Sequence, residues 1–507
     1  MIKLILSILP LIIIILTSLI FLGFKKDQFR QYLFSLSNLV ALIVNSVLIY
    51  YAETLEFHSH SFNIDKSTFI LSELILFISL LLSFSLNDNI KNTNHKNLYS
   101  SLYFLLISSF IGLTLTTNLI IILIFLILQY ISVMCLFFID EYHKDFFVLK
   151  RYALLLVCSM ISAFLLILFV NTNFSSVNLY EIAQEDPSMD FLQTIIMLVL
   201  IFIIFIVPCG GLFTNKAHKD LFENSKFILI KILYLIQYPI HLILFFRAAT
   251  SLNVKDNNIV GLEIYIGILL MIIGFFGLIV SMAYSFLELF GKLRKNSVNL
   301  KIIIGYQNNA QLSTLICIFS IGFFVIPNEI VHNNVYLVLV EFLILFILCN
   351  LLRFSSLIKF TNDKTLSNLH NINLLTDYNL LGLGFISTQI LLLAPGLLGY
   401  YSLVKLMKLI GGNLISDSIT QIAGWLSITA VLIFIIYLAV ITGLLIPHLF
   451  LKSAKSNTID ESEEFEWKYY LPLIISSVIA TLIVFAYYLF NPLLLDYLYQ
   501  IINQIFI

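Results

Sequence analysis

Charge is scarce in this chain. Of its 507 residues, 11% are charged and 60% are hydrophobic, and the mean hydropathy is +1.00. Soluble globular domains carry about 25% charged residues, so this composition excludes a water-soluble globule and implies a polytopic membrane protein. The net charge is -1 and no stretch is strongly basic, which argues against nucleic-acid binding. Cysteine is also sparse. Cys135, Cys158, Cys209, Cys317 and Cys349 sit in or beside apolar runs, with no C-x-x-C spacing. They read as small buried hydrophobes, not as a disulfide set or an iron–sulfur site. There is no phosphate-binding G-x-x-x-x-G-K loop, no H-E-x-x-H and no nucleophile elbow, and the histidines lack the paired helical spacing of haem ligands. No catalytic, cofactor or metal site of a soluble enzyme is expected. The first apolar run, Ile2 to Phe24, has no small-residue cleavage site and is too long for a signal-peptide core. It reads as a membrane helix.

What the chain does have is long apolar runs. Stretches of about 17 or more such residues mark membrane helices, and about 14 can be read here. They are 2–24, 32–51, 68–86, 98–115, 118–139, 153–170, 191–207, 227–246, 260–286, 301–326, 335–352, 380–405, 419–445 and 469–490. The fold class expected is therefore an all-α polytopic membrane protein. Loop charge tests the count, because lysine and arginine concentrate on the inner side. With both termini outside, only Lys3, Lys66, Arg247, Lys255, Lys405 and Lys408 fall on the outer side, and Lys231 falls within a helix. All the other basic residues fall inside. The outer loop 171–190 carries Glu181, Glu185, Asp186 and Asp190 and no basic residue. The richness in Ile, Phe, Tyr, Asn and Lys points to an AT-rich gene of organellar or endosymbiont type.

The seventh run breaks at Pro208-Cys209-Gly210-Gly211, followed by a polar segment to Ser225. Proline withholds a backbone donor, so carbonyls are freed that must face protein or water, not lipid. A second break of this kind is expected at Pro395-Gly396 in the twelfth run. Ionisable groups inside membrane helices are costly and are functional candidates by default. Lys231, inside the eighth run, is a candidate to hold or relay a proton; the alternative is that it snorkels to the inner interface. Glu341 lies mid-run, far from either end. Glu73 and His241 read equally well as polar groups bonded to a neighbouring helix.

Three stretches then resemble one family, the antiporter-like membrane subunits of respiratory complex I (NADH:ubiquinone oxidoreductase), related to Mrp-type cation/proton antiporters. They are Phe62-Asn63-Ile64-Asp65-Lys66-Ser67-Thr68-Phe69, the stretch Asn299 to Leu312 with Lys301, Tyr306 and Gln311 in step, and Ala394-Pro395-Gly396-Leu397-Leu398-Gly399-Tyr400-Tyr401-Ser402. The break at Pro208 is similar to a degraded family motif. The third stretch is most like the subunit 2 (chain N) branch. The resemblance implies two inverted repeats with the seventh and twelfth helices broken. It implies residues 1–97 as three N-terminal helices, 98–250 and 251–450 as the repeats, and 451–507 as a loop and last helix. The family's buried glutamate in the fifth helix would fall at Gln129, and its lysine in the seventh at Ile203. Losing both members of a buried ion pair together can be neutral, whereas losing one strands a charge.

The resemblance thus implies a non-redox membrane-arm subunit of the complex. Taken together with the ionisable groups inside the apolar runs, the proton-path candidates are Gln129, Lys231, His241, Lys301, Glu341 and Lys405. NADH, FMN, iron–sulfur clusters and ubiquinone would belong to other subunits, and none to this chain. Expected partners are other membrane-arm subunits and lipids, with no nucleic acid. The setting would be the mitochondrial inner membrane, or alternatively a bacterial plasma membrane. With Gln129 and Ile203 in place, the N-terminal proton route is expected to be weakened and the chain chiefly structural. The alternative is a stand-alone or Mrp-type antiporter subunit.

Overall fold

The computed structural model describes residues 2–23, 27–55, 57–58, 62–91, 95–139, 146–182, 191–209, 232–251, 262–293, 300–324, 343, 347, 350, 407 and 418–446. Among the described residues the architecture is helical, apart from a two-residue antiparallel pair, Phe57–His58 with Asn63–Ile64. The helices are α1 (Ile2–Ser7), α2 (Leu9–Gly23), α3 (Asp27–Tyr50), α4 (Ala52–Leu55), α5 (Lys66–Lys91), α6 (Lys96–Leu115), α7 (Leu119–Ile139), α8 (Phe146–Asn173), α9 (Leu179–Ile182), α10 (Phe191–Phe205), α11 (Tyr238–Ser251), α12 (Leu262–Leu293), α13 (Leu300–Phe324) and α14 (Ser418–Ile446). Hydrocarbon offers no partner for a bare peptide group, so apolar runs of this length fold as helices that pair their own backbone. Among the described residues, eight helices are long and apolar enough to cross a membrane, with two shorter apolar ones, Leu9–Gly23 and Leu235–Ala249. Several helices overrun their apolar cores: α8 starts at Phe146, well ahead of the run at 153. Most of the eleventh run and all of the fourteenth lie outside the described residues. So does the twelfth run with Pro395, Gly396 and Lys405, as do Gly210, Lys231 and Glu341.

The chain divides into two compact units, the first containing α1–α11 and the second α12–α14. In the first, serines and asparagines link helices that are otherwise apolar. Ser79 Oγ donates to Asn38 Oδ1 at 2.8 Å and meets the Tyr103 hydroxyl at 2.8 Å, joining α3, α5 and α6. Ser18 Oγ donates to the Ser101 carbonyl at 2.8 Å, joining α2 to α6. Inside a bilayer such contacts contribute about 0.6 to 2 kcal/mol each, and they fix register where leucine alone would slide. Phe21, Phe34 and Phe104 pack as an aromatic cluster with centroids 4.8–5.9 Å apart. Gly112 lies so close to the Phe125 ring that any side chain there would overlap it.

Asp65 caps α5: its Oδ1 accepts from the Thr68 N–H at 2.8 Å and from Ser67 Oγ at 2.6 Å. The same carboxylate lies 3.7 Å from the Arg247 guanidinium near the end of α11. Both are almost wholly buried, so the charges need each other. Asn118 and Asn178 form an isolated bridge, and each caps the helix after it. Asn118 Oδ1 takes the Ile120 N–H at 3.0 Å, and Asn178 Oδ1 the Tyr180 N–H at 2.9 Å.

In the second unit α13 is buried on every side from Ile302 to Ile321, as the central helix of a membrane bundle should be. It is not among the eight membrane-spanning candidates, because Gln307, Asn308, Asn309 and Gln311 lower its hydropathy. Gly274 of α12 lets the two helices meet: a Cβ there would come within 2.8 Å of the Cys317 nitrogen and the Ser313 carbonyl. Ser427 Oγ of α14 donates to the Cys317 carbonyl at 2.8 Å. Outward, α12 presents Leu269, Ile272, Phe276 and Ile279 at helical spacing, the pattern of a lipid or subunit face.

Candidate functional site

Pro208 builds the site. In a continuous helix the Ile204 carbonyl would accept from the N–H four residues on, but residue 208 has none. The chain tightens instead into a 3-10 turn, Val207–Cys209. The Cys209 N–H goes to the Ile206 carbonyl at 3.0 Å, which also deprives Phe205 of its helical donor. Two adjacent carbonyls are thus released inside the bundle, and both are caught. Ser159 Oγ of α8 donates to the Ile204 carbonyl at 2.8 Å. His241 Nδ1 of α11 lies 3.2 Å from the Phe205 carbonyl, and Cys209 Sγ donates to that same oxygen at 3.1 Å.

Consecutive residues of α7 back both captures. The Tyr130 hydroxyl stands 2.8 Å from Ser159 Oγ; since Ser159 spends its proton on Ile204, Tyr130 donates to it. Gln129 Oε1 stands 3.1 Å from His241 Nε2. Gln129, Tyr130, Ser159, Cys209 and His241 are all buried to within 2%. The Phe205 ring meets the His241 ring edge-on, centroids 5.9 Å apart.

The donor count at His241 determines what the pair can do. The Phe205 carbonyl only accepts, so Nδ1 carries a proton. Nε2 faces a side-chain amide whose two ends have opposite roles. An imidazolium donates to Oε1, as placed. A neutral ring accepts from the amide N–H once Gln129 turns over, and Gln129 Nε2 has no partner in the present placement. The site can therefore hold or release one proton with His241 bonded at both nitrogens in either state.

A second proline shapes the other wall. Pro239 cannot donate to the turn before it, and the chain opens there into a π turn, Leu233–Gln237, closed by the Tyr238 N–H on the Leu233 carbonyl. Gln237 lies in that turn, fully buried beside the Tyr152 hydroxyl, which also neighbours the Cys209 thiol.

Of the sequence candidates, the structure brings Gln129 and His241 together and puts Pro208 at their carbonyl. Ile203 is half-buried and none of the hydrogen bonds just described involves it. Lys301 lies in the first turn of α13, in the other unit. Tyr130, Ser159, Tyr152 and Gln237 were missed; a Tyr next to Gln129 and a Ser in an apolar run carry no distinctive signal in sequence.

No family model and no curated protein matches the chain. Solved structures do. A chain of the Mrp complex from Dietzia sp. DQ12-45-1b is similar over 100% of this chain and 98% of its own, with a TM-score of 0.73 and 10% identity. A chain of the membrane-bound sulfane sulfur reductase, an archaeal respiratory membrane complex, is similar over 100% and 97%, with a TM-score of 0.69 and 13% identity. At these identities the likeness is one of fold, over the full length of each chain.

Proposed function

We propose that this chain is an antiporter-like membrane subunit of a multi-subunit complex, of the Mrp cation/proton kind. The observation that carries the reading is the buried Gln129–His241 pair on the freed Phe205 carbonyl. A carrier site needs a titratable group beside broken backbone, and His241 is such a group where the family glutamate is replaced by Gln129. The full-length likeness to a chain of an Mrp complex supports the same reading. His241 holds the proton; Gln129 orients the ring; Ser159 and Tyr130 keep the opened end of α10 from collapsing. Other polytopic subunits are the partners, and a prokaryotic plasma membrane is the setting.

A second reading, a membrane-arm subunit of NADH:ubiquinone oxidoreductase in the mitochondrial inner membrane, is favoured by the paired absence of charge at Gln129 and Ile203. In that reading the chain is chiefly structural and carries no redox group. The test is purification of the tagged chain in mild detergent, with cation/proton exchange measured in sealed vesicles. Co-purification of membrane subunits alone, with sodium- or potassium-driven proton movement lost in His241→Ala, is expected. Flavin and iron–sulfur proteins in the purified assembly would move the chain to the second reading. A chain purified without partners would refute both.

A further inference from the structure

Glu73 plays no part in the site above. It lies within the candidate membrane span Lys66–Ser83 of α5, about two turns from its start. Its side chain is half-buried and its hydrogen-bond partners come from α3. Asn45 Nδ2, fully buried, donates to Glu73 Oε2 at 2.8 Å and to the Phe69 carbonyl at 2.8 Å. Ser46 Oγ meets Glu73 Oε1, and it also lies 3.0 Å from the Leu42 carbonyl. Ser46 is exposed, and beside it on α3 Ile43 and Val47 are at least half exposed. The carboxyl thus opens sideways onto an apolar face, not into the bundle.

The hydroxyl of Ser46 has one proton and two acceptors in reach. If Glu73 is ionised, Ser46 donates to Oε1 and Asn45 to Oε2. If Glu73 carries a proton, its O–H donates to Ser46 Oγ, and Ser46 turns its own proton to the Leu42 carbonyl. Asn45 serves Oε2 in both states, and Leu42 keeps its helical donor in both. Two protonation states are interchanged by one hydroxyl rotation, with no polar group stranded. Among the described residues of the elements packed on α5, charges are few, and Asp65 just ahead of α5 is paired with Arg247. Residues 31–50 of α3 contain none, and α6 contains none beyond Lys96. On α5 the nearest are Lys66 and Asp88, and α4 contributes Glu53.

We propose that Glu73 is a second proton-binding site, lateral and open to lipid, held by Asn45 and Ser46. A protonated carboxyl reached from hydrocarbon has a specific reactivity. It adds to a hydrophobic carbodiimide: the acid proton goes to one nitrogen and the carboxyl oxygen to the central carbon. Acyl transfer from oxygen to nitrogen then leaves a stable N-acylurea, with nothing released and nothing oxidised. The test is peptide mapping of the full chain in its native membranes after treatment with dicyclohexylcarbodiimide, compared with a water-soluble carbodiimide. The adduct is expected on Glu73 with the hydrophobic reagent and not with the soluble one, and Glu73→Gln should lose it. An unmodified Glu73 in membranes would overturn the proposal. So would an adduct seen only after detergent dispersal, because the face would then be covered by a neighbour. The Mrp-type reading of the chain stands or falls independently of this result.

Discussion

The α7–α8–α10–α11 group and the α12–α13–α14 group meet the same difficulty, polar atoms inside a membrane bundle, and handle it in opposite ways. The first breaks a helix at Pro208 and catches each freed carbonyl with a side chain, Ser159 and His241. The second keeps α13 continuous through Gln307, Asn308, Asn309 and Gln311, all buried. There both ends of the Gln307 amide, the Gln311 carbonyl and the hydroxyls of Ser281 and Ser285 have no partner among the described residues. Where partners are matched one to one, a group is held in place and loss of either partner is costly. Buried polar groups without protein partners are not themselves a source of stability; they are characteristic of places that host water or ions. The first group holds its two freed carbonyls in position, although Gln129 Nε2 and the Gln237 amide beside them also lack a hydrogen-bond partner among the described residues; the second leaves unpartnered groups along a continuous helix.

The largest effect should come from steric contact, which both groups use. Gly274→Leu puts a side chain against the backbone of Cys317 and Ser313, which cannot rotate away. Forced overpacking costs about 3 kcal/mol at its upper range, so the variant should lose folded yield and melt well below wild type in detergent. Wild-type melting would show that the α12–α13 interface is looser than a glycine contact implies.

Next is the matched site. His241→Ala leaves the Phe205 carbonyl only the weak Cys209 thiol donor and strands Gln129 Oε1, at about 1–3 kcal/mol for the group left unpaired. Cation/proton exchange should be lost as well. His241→Gln restores bonding without a titratable group. It should recover much of the stability and none of the exchange. Recovery of exchange by His241→Gln would rule out His241 as the proton carrier.

Much of this contrast was visible in sequence, and the reasons differ by residue. Long apolar runs specify helices because hydrocarbon permits little else, so α3, α5–α8, α12 and α14 follow from hydropathy. Pro208 marks the end of α10 because a missing N–H acts locally. His241 and Gln129 were each singled out, but their pairing was not, since it spans 112 residues and depends on how α7 and α11 pack. Ser159 was invisible for the same reason: its two partners lie 29 and 45 residues away. The π turn before Pro239 escaped because proline within a helix signals disruption without saying which form it takes.

Smaller than these is Tyr130→Phe. It removes a donor to Ser159, whose own bond to Ile204 remains, so the expected cost is about 1 kcal/mol. Ser159→Ala strands Ile204 as well and should cost more. Equal effects on melting would mean that the Ile204 carbonyl is satisfied in some other way.

The smallest effect sharpens the comparison most. Gln129→Leu and Gln307→Leu are the same chemical change at two buried positions. At Gln129 the change removes the partner of His241, and a cost of about 1–3 kcal/mol follows. At Gln307 no described protein group loses a hydrogen bond, because neither end of the amide makes one. Replacing an unpaired buried amide with an apolar side chain of similar size should leave stability near wild type or raise it slightly. Melting of the two variants in the same detergent measures the difference directly. If Gln307→Leu costs as much as Gln129→Leu, then Gln307 is held by bound water or an ion as firmly as Gln129 is held by His241. The two groups would then share one design.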